Sequence, residues 1–148
     1  MTESQHQFVE DLGQHMVGWG LARTTGRVYA YLLLRVEPAS LDEIAAELDM
    51  AKSGASVAAR QLVRLGMVRG TGQRGSRRLL YEALYDTEAI LAARNLQTRD
   101  FLDRIRQGAE VAPAGRPRQR LQEMASELQD LYSEIPALVR RIVKRRRA

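Results

Sequence analysis

Apolar residues recur at helical spacing near the start of the chain. Phe8, Leu12, Met16 and Trp19 follow one another at intervals of four, four and three residues, which places them on one face of a helix within residues 5–20. The pattern predicts an amphipathic first helix. Its apolar face has to be buried against another surface.

A second helix is predicted over about residues 23–36. Val28, Tyr31 and Leu32 supply its buried surface. Pro38 ends it, because proline disfavours helical geometry in the residue before it. Two consecutive helices are therefore expected before residue 40.

Two shorter helices, separated by a tight turn, are predicted next. Ser40 and Glu43 form the capping-box pattern S-x-x-E, which satisfies free backbone amides at the start of a helix. Residues 49–51 form the break. The second of these helices covers residues 52–65 and ends at Gly66, a natural C-terminal stop.

A glycine- and arginine-rich loop, residues 69–78, follows this helix pair and leads into a strand-like stretch at 79–84. Helix, tight turn, helix and basic hairpin occur in this order in a winged helix-turn-helix, which places one helix in the major groove of DNA. We therefore expect a mainly α protein with a small β-hairpin wing. DNA binding is the leading functional hypothesis.

Two long helices are predicted after the wing. One covers about residues 87–107, and a linker with proline and glycine follows at 112–117. The last helix, about 117–143, has apolar residues alternately three and four apart, which is a heptad pattern, and Pro136 is expected to kink it. These helices have more apolar surface than a winged domain buries. We therefore expect a second copy of the chain to cover it in a dimer.

The expected architecture is a winged helix-turn-helix with long flanking dimerisation helices. Its predicted parts are an N-terminal dimerisation helix at 1–20, the DNA-binding domain at 21–85 and a C-terminal helical dimerisation region at 86–148.

Composition agrees with a folded helical protein. Hydrophobic residues make up 45% of the 148 residues and aromatic residues only 5%, which suits a helical protein rich in alanine and leucine. The 23 basic residues exceed the 18 acidic ones, and this surplus favours polyanionic partners. The lack of cysteine excludes disulfides and fits a reducing cytoplasm, where we expect the protein. No apolar stretch is long enough to span a membrane.

The second helix of the motif and the wing carry the candidate DNA contacts. Ala55, Ala59 and Leu62 define the core side of that helix, and its opposite side is small and polar at first and cationic further along. Short hydroxyls let a helix lie deep in the major groove. Arg74, at the tip of the wing, could enter a minor groove, and Arg77 and Arg78 could bind phosphates. The candidate residues are Lys52, Ser53, Ser56, Arg60, Arg64, Arg74, Arg77 and Arg78.

The alternative interpretation of these residues is an ordinary solvated helix face and a solvated β-turn. Other chemistry has little support in the sequence. His6 and His15 are nine residues apart and have no cysteine or carboxylate cluster beside them, so no metal site is expected. No catalytic triad order or paired-carboxylate context occurs. We therefore expect no enzyme activity and no cofactor.

Residues 20–34, GLARTTGRVYAYLLL, are similar to the string GL-R--GRVY--LLL of the GbsR-type branch of MarR-type transcriptional regulators. Residues 40–45 and 52–57 also resemble that branch. The resemblance covers about residues 8–85, and the helical ends match in architecture only. Ala51 departs from the pattern, because many relatives have a serine there that caps the recognition helix.

The resemblance implies a dimeric repressor or activator that binds a pseudo-palindromic DNA site. It also implies an effector cleft between the DNA-binding lobe and the dimer helices. Some members of the branch respond to choline-like solutes, and Trp19, Tyr29 and Tyr31 are the weak candidates for holding a quaternary ammonium by cation–π contact. Two alternatives stay open: a nonspecific architectural DNA binder, and a helical protein-interaction module that does not bind DNA.

Overall fold

The structure is a computed structural model that describes all residues from 1 to 148. It is mainly helical with one small antiparallel sheet, which confirms the expected fold class. The elements in chain order are α1 (Glu3–Val17), α2 (Arg23–Leu33), β1 (Ala39–Ser40), α3 (Leu41–Glu47), α4 (Lys52–Arg64), β2 (Val68–Gly72), β3 (Leu79–Ala83), α5 (Thr87–Arg94), α6 (Leu96–Val111) and α7 (Arg116–Arg147).

The chain forms two compact units, Met1–Ala93 and Arg94–Ala148. The first unit contains α1 as well as the helix-turn-helix and the wing, and the second consists of α6 and α7. This division differs from the sequence-based boundaries at residues 20 and 85. The assignment of residues 1–20 and 86–148 to dimerisation stays a prediction.

The packing of α1 on α2 depends on a close approach at two glycines. A Cβ atom placed on Gly26 would lie 2.8 Å from the Cα of Gly13, so neither position has room for a side chain. This approach sets the buried face of α1. Val9 is buried in place of Phe8, which is 40% exposed, whereas Met16 is buried as expected.

The helix-turn-helix begins at a cap that the sequence predicted. The Ser40 hydroxyl accepts a hydrogen bond from the Glu43 amide at 3.2 Å and is itself buried. The turn between α3 and α4 contains Asp49 with φ of 47°, the left-handed conformation that a tight turn needs. Ile44 and Leu62 are fully buried between these helices and the rest of the first unit.

Polar contacts also fix the helix-turn-helix to α2. The Thr25 hydroxyl is buried and donates to Gln61 Oε1 on α4 at 2.8 Å. The Arg27 guanidinium pairs with Glu10 of α1 at 2.7 Å and donates to the Leu48 carbonyl at 2.9 Å. Because buried polar groups lose free energy when unpaired, the Thr25 bond restricts how α4 is oriented, and the Arg27 bonds connect α2 to α1 and to the end of α3.

The sheet has the strand order β1-β3-β2 and is antiparallel throughout. Strands β2 and β3 form the wing hairpin, with Val68 opposite Ala83 and Gly72 opposite Leu79. Residues 73–78 connect them. The two-residue strand β1 pairs with β3, which attaches the wing to the start of α3.

The helices after the wing differ from the predicted pattern in one place. The single helix expected over 87–107 is two helices, α5 and α6, interrupted at Asn95, whose φ of −84° and ψ of 1° lie outside helical values. Helix α7 is continuous through Pro136. Leu102, Ala109 and Ala125 are buried where α6 and α7 pack together. No helix combines the length and the apolar character needed to cross a bilayer.

Candidate nucleic-acid interface

Helix α4 presents two opposite faces. Its buried side consists of three alanines and one leucine, Ala55, Ala58, Ala59 and Leu62, and the small side chains let α4 approach the core closely. Burial of this face leaves the opposite one for a partner. The sequence therefore predicted the orientation of α4 correctly.

The outward face of α4 carries the predicted row of polar residues. Ser53, Arg60 and Arg64 are exposed and Ser56 is half-buried. The Arg60 guanidinium donates to the backbone carbonyl of Ser56 at 3.4 Å, so its side chain lies back along its own helix. This surface offers hydroxyls near the start of the helix and cations further along.

Val57 is a residue of this face that the sequence reasoning missed. It is 58% exposed on α4, next to the half-buried Ser56. Val57 lies on the same outward side as Ser53, Arg60 and Arg64, and most of its side chain is open to a partner. Its two methyl groups suit contact with the C5-methyl group of thymine. Its position opposite the alanine face was the sequence signal that could have identified it as an outward residue.

The start of α4 lacks a side-chain cap. Ala51 occupies the N-cap position with φ of −65° and ψ of 142° and makes no capping hydrogen bond. The first amides of a helix have no partner inside the helix, and they carry a partial positive charge. In α4 these amides lie beside Lys52 and Ser53, where an anion would find both charge and hydrogen-bond donors.

Asp42 joins three elements around the candidate interface. Its carboxylate, on the first turn of α3, lies 3.0 Å from Lys52 Nζ at the start of α4 and 3.1 Å from the Arg78 guanidinium on the wing. The hydrogen bonds from Lys52 and from Arg78 lower the pKa of Asp42 below its usual 3.8. No local pattern predicts this contact, because Asp42 is 36 positions away from Arg78 along the chain.

An open groove of about 330 Å³ lies over this ion cluster and is lined by Leu41, Tyr81 and Arg77 as well as the three charged residues. Lys52 and Arg78 already have a counter-charge there. Arg74 and Arg77 make no ion pair. The predicted cations of the interface therefore fall into two groups, one neutralised within the protein and one available to a polyanion.

The wing loop is exposed along its whole length. The Ser76 amide donates to the Gln73 carbonyl at 3.1 Å and Gly75 has φ of 78°, so the chain reverses within a few residues. Arg74 lies in this turn. At the base of the wing, Arg69 donates to Glu82 across the hairpin at 2.9 Å. The hairpin thus carries a free arginine in its exposed loop and a paired one at its base.

Charge is strongly separated along the first unit. Residues 50–81 contain seven basic side chains and no acidic one, whereas residues 1–49 contain three basic and eight acidic side chains. The positive segment is the one that forms α4 and the wing. Its field favours a polyanion at this surface although the first unit as a whole is nearly neutral.

The three aromatic effector candidates, Trp19, Tyr29 and Tyr31, belong to or pack against the core of the first unit. Tyr31 is buried, its hydroxyl has no hydrogen-bond partner, and the Arg35 guanidinium carbon lies 5.8 Å from its ring centroid. Burial raises the pKa of Tyr29. Trp19 packs edge-on against His15, with ring centroids 6.0 Å apart. A ligand cation at Tyr31 would compete with Arg35.

No cluster of three or more metal-ligating side chains occurs in the structure.

No model of a known protein family matches the chain. The curated protein "Putative HTH-type transcriptional regulator YvaV" of Bacillus subtilis is 25% identical over 86 residues. That match covers 58% of this chain and 49% of the relative, so the chain spans about half the length of the curated relative it matches.

Two solved structures resemble the whole or most of the chain. A crystal structure of a transcriptional regulator matches with a TM-score of 0.71 and 25% identity, over 96% of this chain and 97% of the other. A "Possible transcriptional regulator" from Methanosarcina mazei matches with a TM-score of 0.50 and 17% identity, over 67% and 83%. MarR-family regulators, one of them from Rhodococcus, are further structural neighbours at TM-scores of 0.41 and 0.42.

Proposed function

We propose that this chain is a sequence-specific DNA-binding transcriptional regulator that acts as a homodimer. The observation that carries the proposal is the outward face of α4, where hydroxyls and free cations share a surface within a segment of seven basic and no acidic residues. The resemblance along nearly the full length to a solved transcriptional regulator supports it.

Sequence recognition would come from the first two turns of α4. Ser53 and Ser56 are short enough to let the helix enter the major groove and can hydrogen-bond to base edges. Val57 would contact a thymine methyl group. Arg60, released from its contact with the Ser56 carbonyl, would reach O6 and N7 of a guanine, which is the commonest specific contact made by arginine.

Phosphate contacts would position α4 without adding sequence information. Arg64, Arg74 and Arg77 have no counter-charge in the protein and suit this role. Lys52 and Arg78 are bound to Asp42, so a phosphate would share or replace that carboxylate. The wing would follow the neighbouring groove, with Arg74 placed for a narrow minor groove.

The homodimer is proposed from the exposed apolar residues of α7. Met124, Leu131 and Leu138 are exposed and seven residues apart, which is one row of a heptad repeat. The outer face of α1, with exposed Phe8, would add to the contact. A two-fold dimer places two recognition helices about one helical turn of DNA apart and so requires a pseudo-palindromic site.

The finer assignment to the GbsR-type branch rests on residues 20–34 and is part of the proposal, as is action in the cytoplasm. A small-molecule effector would regulate binding by changing the separation of the two recognition helices, and its coupling to DNA would be reciprocal.

Selection of bound sites from random duplex DNA tests this function. The selected sites should share a two-fold symmetric sequence. Arg60→Ala should then cost about 1–3 kcal/mol on the selected site and relax the choice at one base pair. Arg99→Ala, at an exposed arginine of α6, is the matched control and should bind like the unmodified protein.

Three results would contradict the proposal or part of it. An equal loss on every sequence would make Arg60 a phosphate contact. Binding without an enriched sequence would favour the nonspecific architectural binder. A lack of any salt-sensitive DNA affinity would favour the protein-interaction module.

A further inference from the structure

The positive charge of the chain is concentrated at one end of α7. Residues 140–147 hold six of the 23 basic residues and none of the 18 acidic ones, so the remaining residues, with 17 basic and 18 acidic side chains, are nearly neutral. The formal charge of +5 therefore arises from eight residues outside α4 and the wing. The proposed recognition surface does not account for it.

This segment is part of a regular helix. Helix α7 continues to Arg147, and all six basic side chains are exposed. At 100° per residue, five of them occupy an arc of about 160°. Val139, which is 7% exposed, and the half-buried Val143 lie on the other side. We name the exposed cations on this arc the α7 cationic face; they are Arg140, Arg141, Lys144, Arg145 and Arg147.

Four of the five cations on this face differ from the paired arginines elsewhere in the chain in having no carboxylate partner. In the first unit Arg35 pairs with Glu43 at 3.1 Å, and in the second Arg106 pairs with Asp103 at 3.3 Å. Arg141, Lys144, Arg145 and Arg147 make no ion pair, and the last acidic residue before them is Glu134. Like charges at helical spacing destabilise a helix, and the negative end of the helix dipole only partly offsets this. A bound polyanion would remove the repulsion.

We propose that the α7 cationic face binds the phosphates of duplex DNA as a second, sequence-independent contact, separate from α4 and the wing. The inference rests on the proposed function, because DNA is the polyanion that the first unit is proposed to bind. Contacts of this type release counterions and raise affinity for any sequence equally. They also accelerate association at low salt.

An anionic membrane is the other large surface that attracts basic helices. A helix lying in a membrane surface needs a broad apolar face to insert between lipids. On the side opposite the cations Val139 is already buried within the protein, and Ile142 is only 36% exposed. Charge without an insertable apolar face favours DNA.

The test is a charge-matched pair of triple variants. Lys144→Gln/Arg145→Gln/Arg147→Gln neutralises three members of the face, and Arg99→Gln/Arg104→Gln/Arg120→Gln neutralises three exposed arginines elsewhere in the second unit. Each variant is measured on the selected site and on an unrelated duplex of equal length, over a range of salt concentrations. Helix content and oligomeric state are compared with those of the unmodified protein.

The first variant should flatten the slope of log K against log salt by about 2.7, at about 0.9 per phosphate contact, on both duplexes. Its preferred sequence should stay the same, and the control variant should change the slope by much less. An unchanged slope, or equal flattening by both variants, would overturn the inference while leaving Arg60 and α4 unaffected. Loss of binding to phosphatidylserine vesicles with unchanged DNA binding would overturn it in favour of a membrane.

Failure of the proposed function would give a different result in the same binding measurements. Unmodified protein that binds no duplex at any salt concentration would overturn the function and, with it, this inference.

Discussion

The two units of the chain bury their apolar residues to very different extents. Of the 23 buried hydrophobic residues, nineteen form one cluster in the first unit and four lie in the second. In the second unit Phe101, Leu131 and Leu138 remain roughly half exposed. The first unit therefore has a large core of its own, whereas the second buries few apolar residues and leaves these three exposed. This difference is why we place the proposed dimer contact on α7.

The units also differ in charge, and the unit that carries the proposed recognition surface is the less basic of the two. The first unit has ten basic and eleven acidic residues, and the second has thirteen and seven. Yet the first unit carries the proposed recognition surface. Net charge of a domain is thus a poor guide to the position of the proposed sequence-reading surface. The separation of charge within the first unit, at residues 50–81, is the informative property.

Breaking the proposed dimer contact should have the largest effect. Leu131→Lys/Leu138→Lys places two cations in the exposed heptad row, and we expect monomers in sedimentation. Because two linked half-site contacts can exceed one by about 10²–10⁴ in affinity, binding to the selected site should fall at least about 100-fold. The melting of the first unit should not change.

Gln122→Lys/Ser126→Lys adds the same charge at exposed polar positions of α7 and is the control. If the unmodified protein is itself a monomer at micromolar concentration, the difference between the two units has another cause and the dimer proposal fails.

The core of the first unit can be tested at the crossing of α1 and α2. Alanine normally stabilises a helix relative to glycine by about 0.5–1 kcal/mol. At Gly26 the added Cβ would lie 2.8 Å from the Gly13 backbone, and overpacking of this kind costs about 1–3 kcal/mol. Gly26→Ala should therefore lower the free energy of unfolding, measured with urea.

Gly54→Ala is the comparison, because its nearest neighbour would be the flexible end of Met50 at 3.4 Å. It should leave stability unchanged or raise it. Equal stabilisation by both substitutions would show that α1 is not held against α2 in the way the structure describes.

The smallest expected effect concerns Asp42. Asp42→Asn removes the counter-charge of Lys52 and Arg78, and affinity for an unrelated duplex should rise only a few-fold, because ion pairs between exposed side chains are weak. Asp49→Asn is the control, because it makes an equal change of charge in the turn before α4. It should raise the affinity for the unrelated duplex less. A loss of affinity in Asp42→Asn would mean that Asp42 positions the two cations for DNA.

The pH dependence gives a second measurement on Asp42. The pKa in the folded protein is below the ordinary 3.8, chiefly through the hydrogen bond from Lys52. The ionised carboxylate therefore contributes stability above about pH 4, and this contribution is lost as the pH falls through the lower folded value. The asparagine variant should lack this part of the acid profile.

Several elements were predictable from the sequence because their signals are local. The Ser40 cap placed the start of α3, although the Glu43 side chain pairs with Arg35 instead of completing the predicted capping box, and Gly66 placed the end of α4 to within a residue. The alanine and leucine spacing within α4 fixed its outward face. Hydrogen bonds within a turn and the helical period depend on residues a few positions apart, so the chain alone determines them.

Only the tertiary structure decided which side chains are buried or meet when the contact joins residues far apart in the chain. Val9 rather than Phe8 is buried in α1 because the approach of Gly13 to Gly26 sets the rotation of that helix. Asp42 joins Lys52 to Arg78 only because β1 pairs with β3 and brings the wing beside α3. Amphipathic periodicity predicts that a helix has an apolar side. The rotation of the packed helix decides which side chains share a site, and backbone contacts between distant parts of the chain set that rotation.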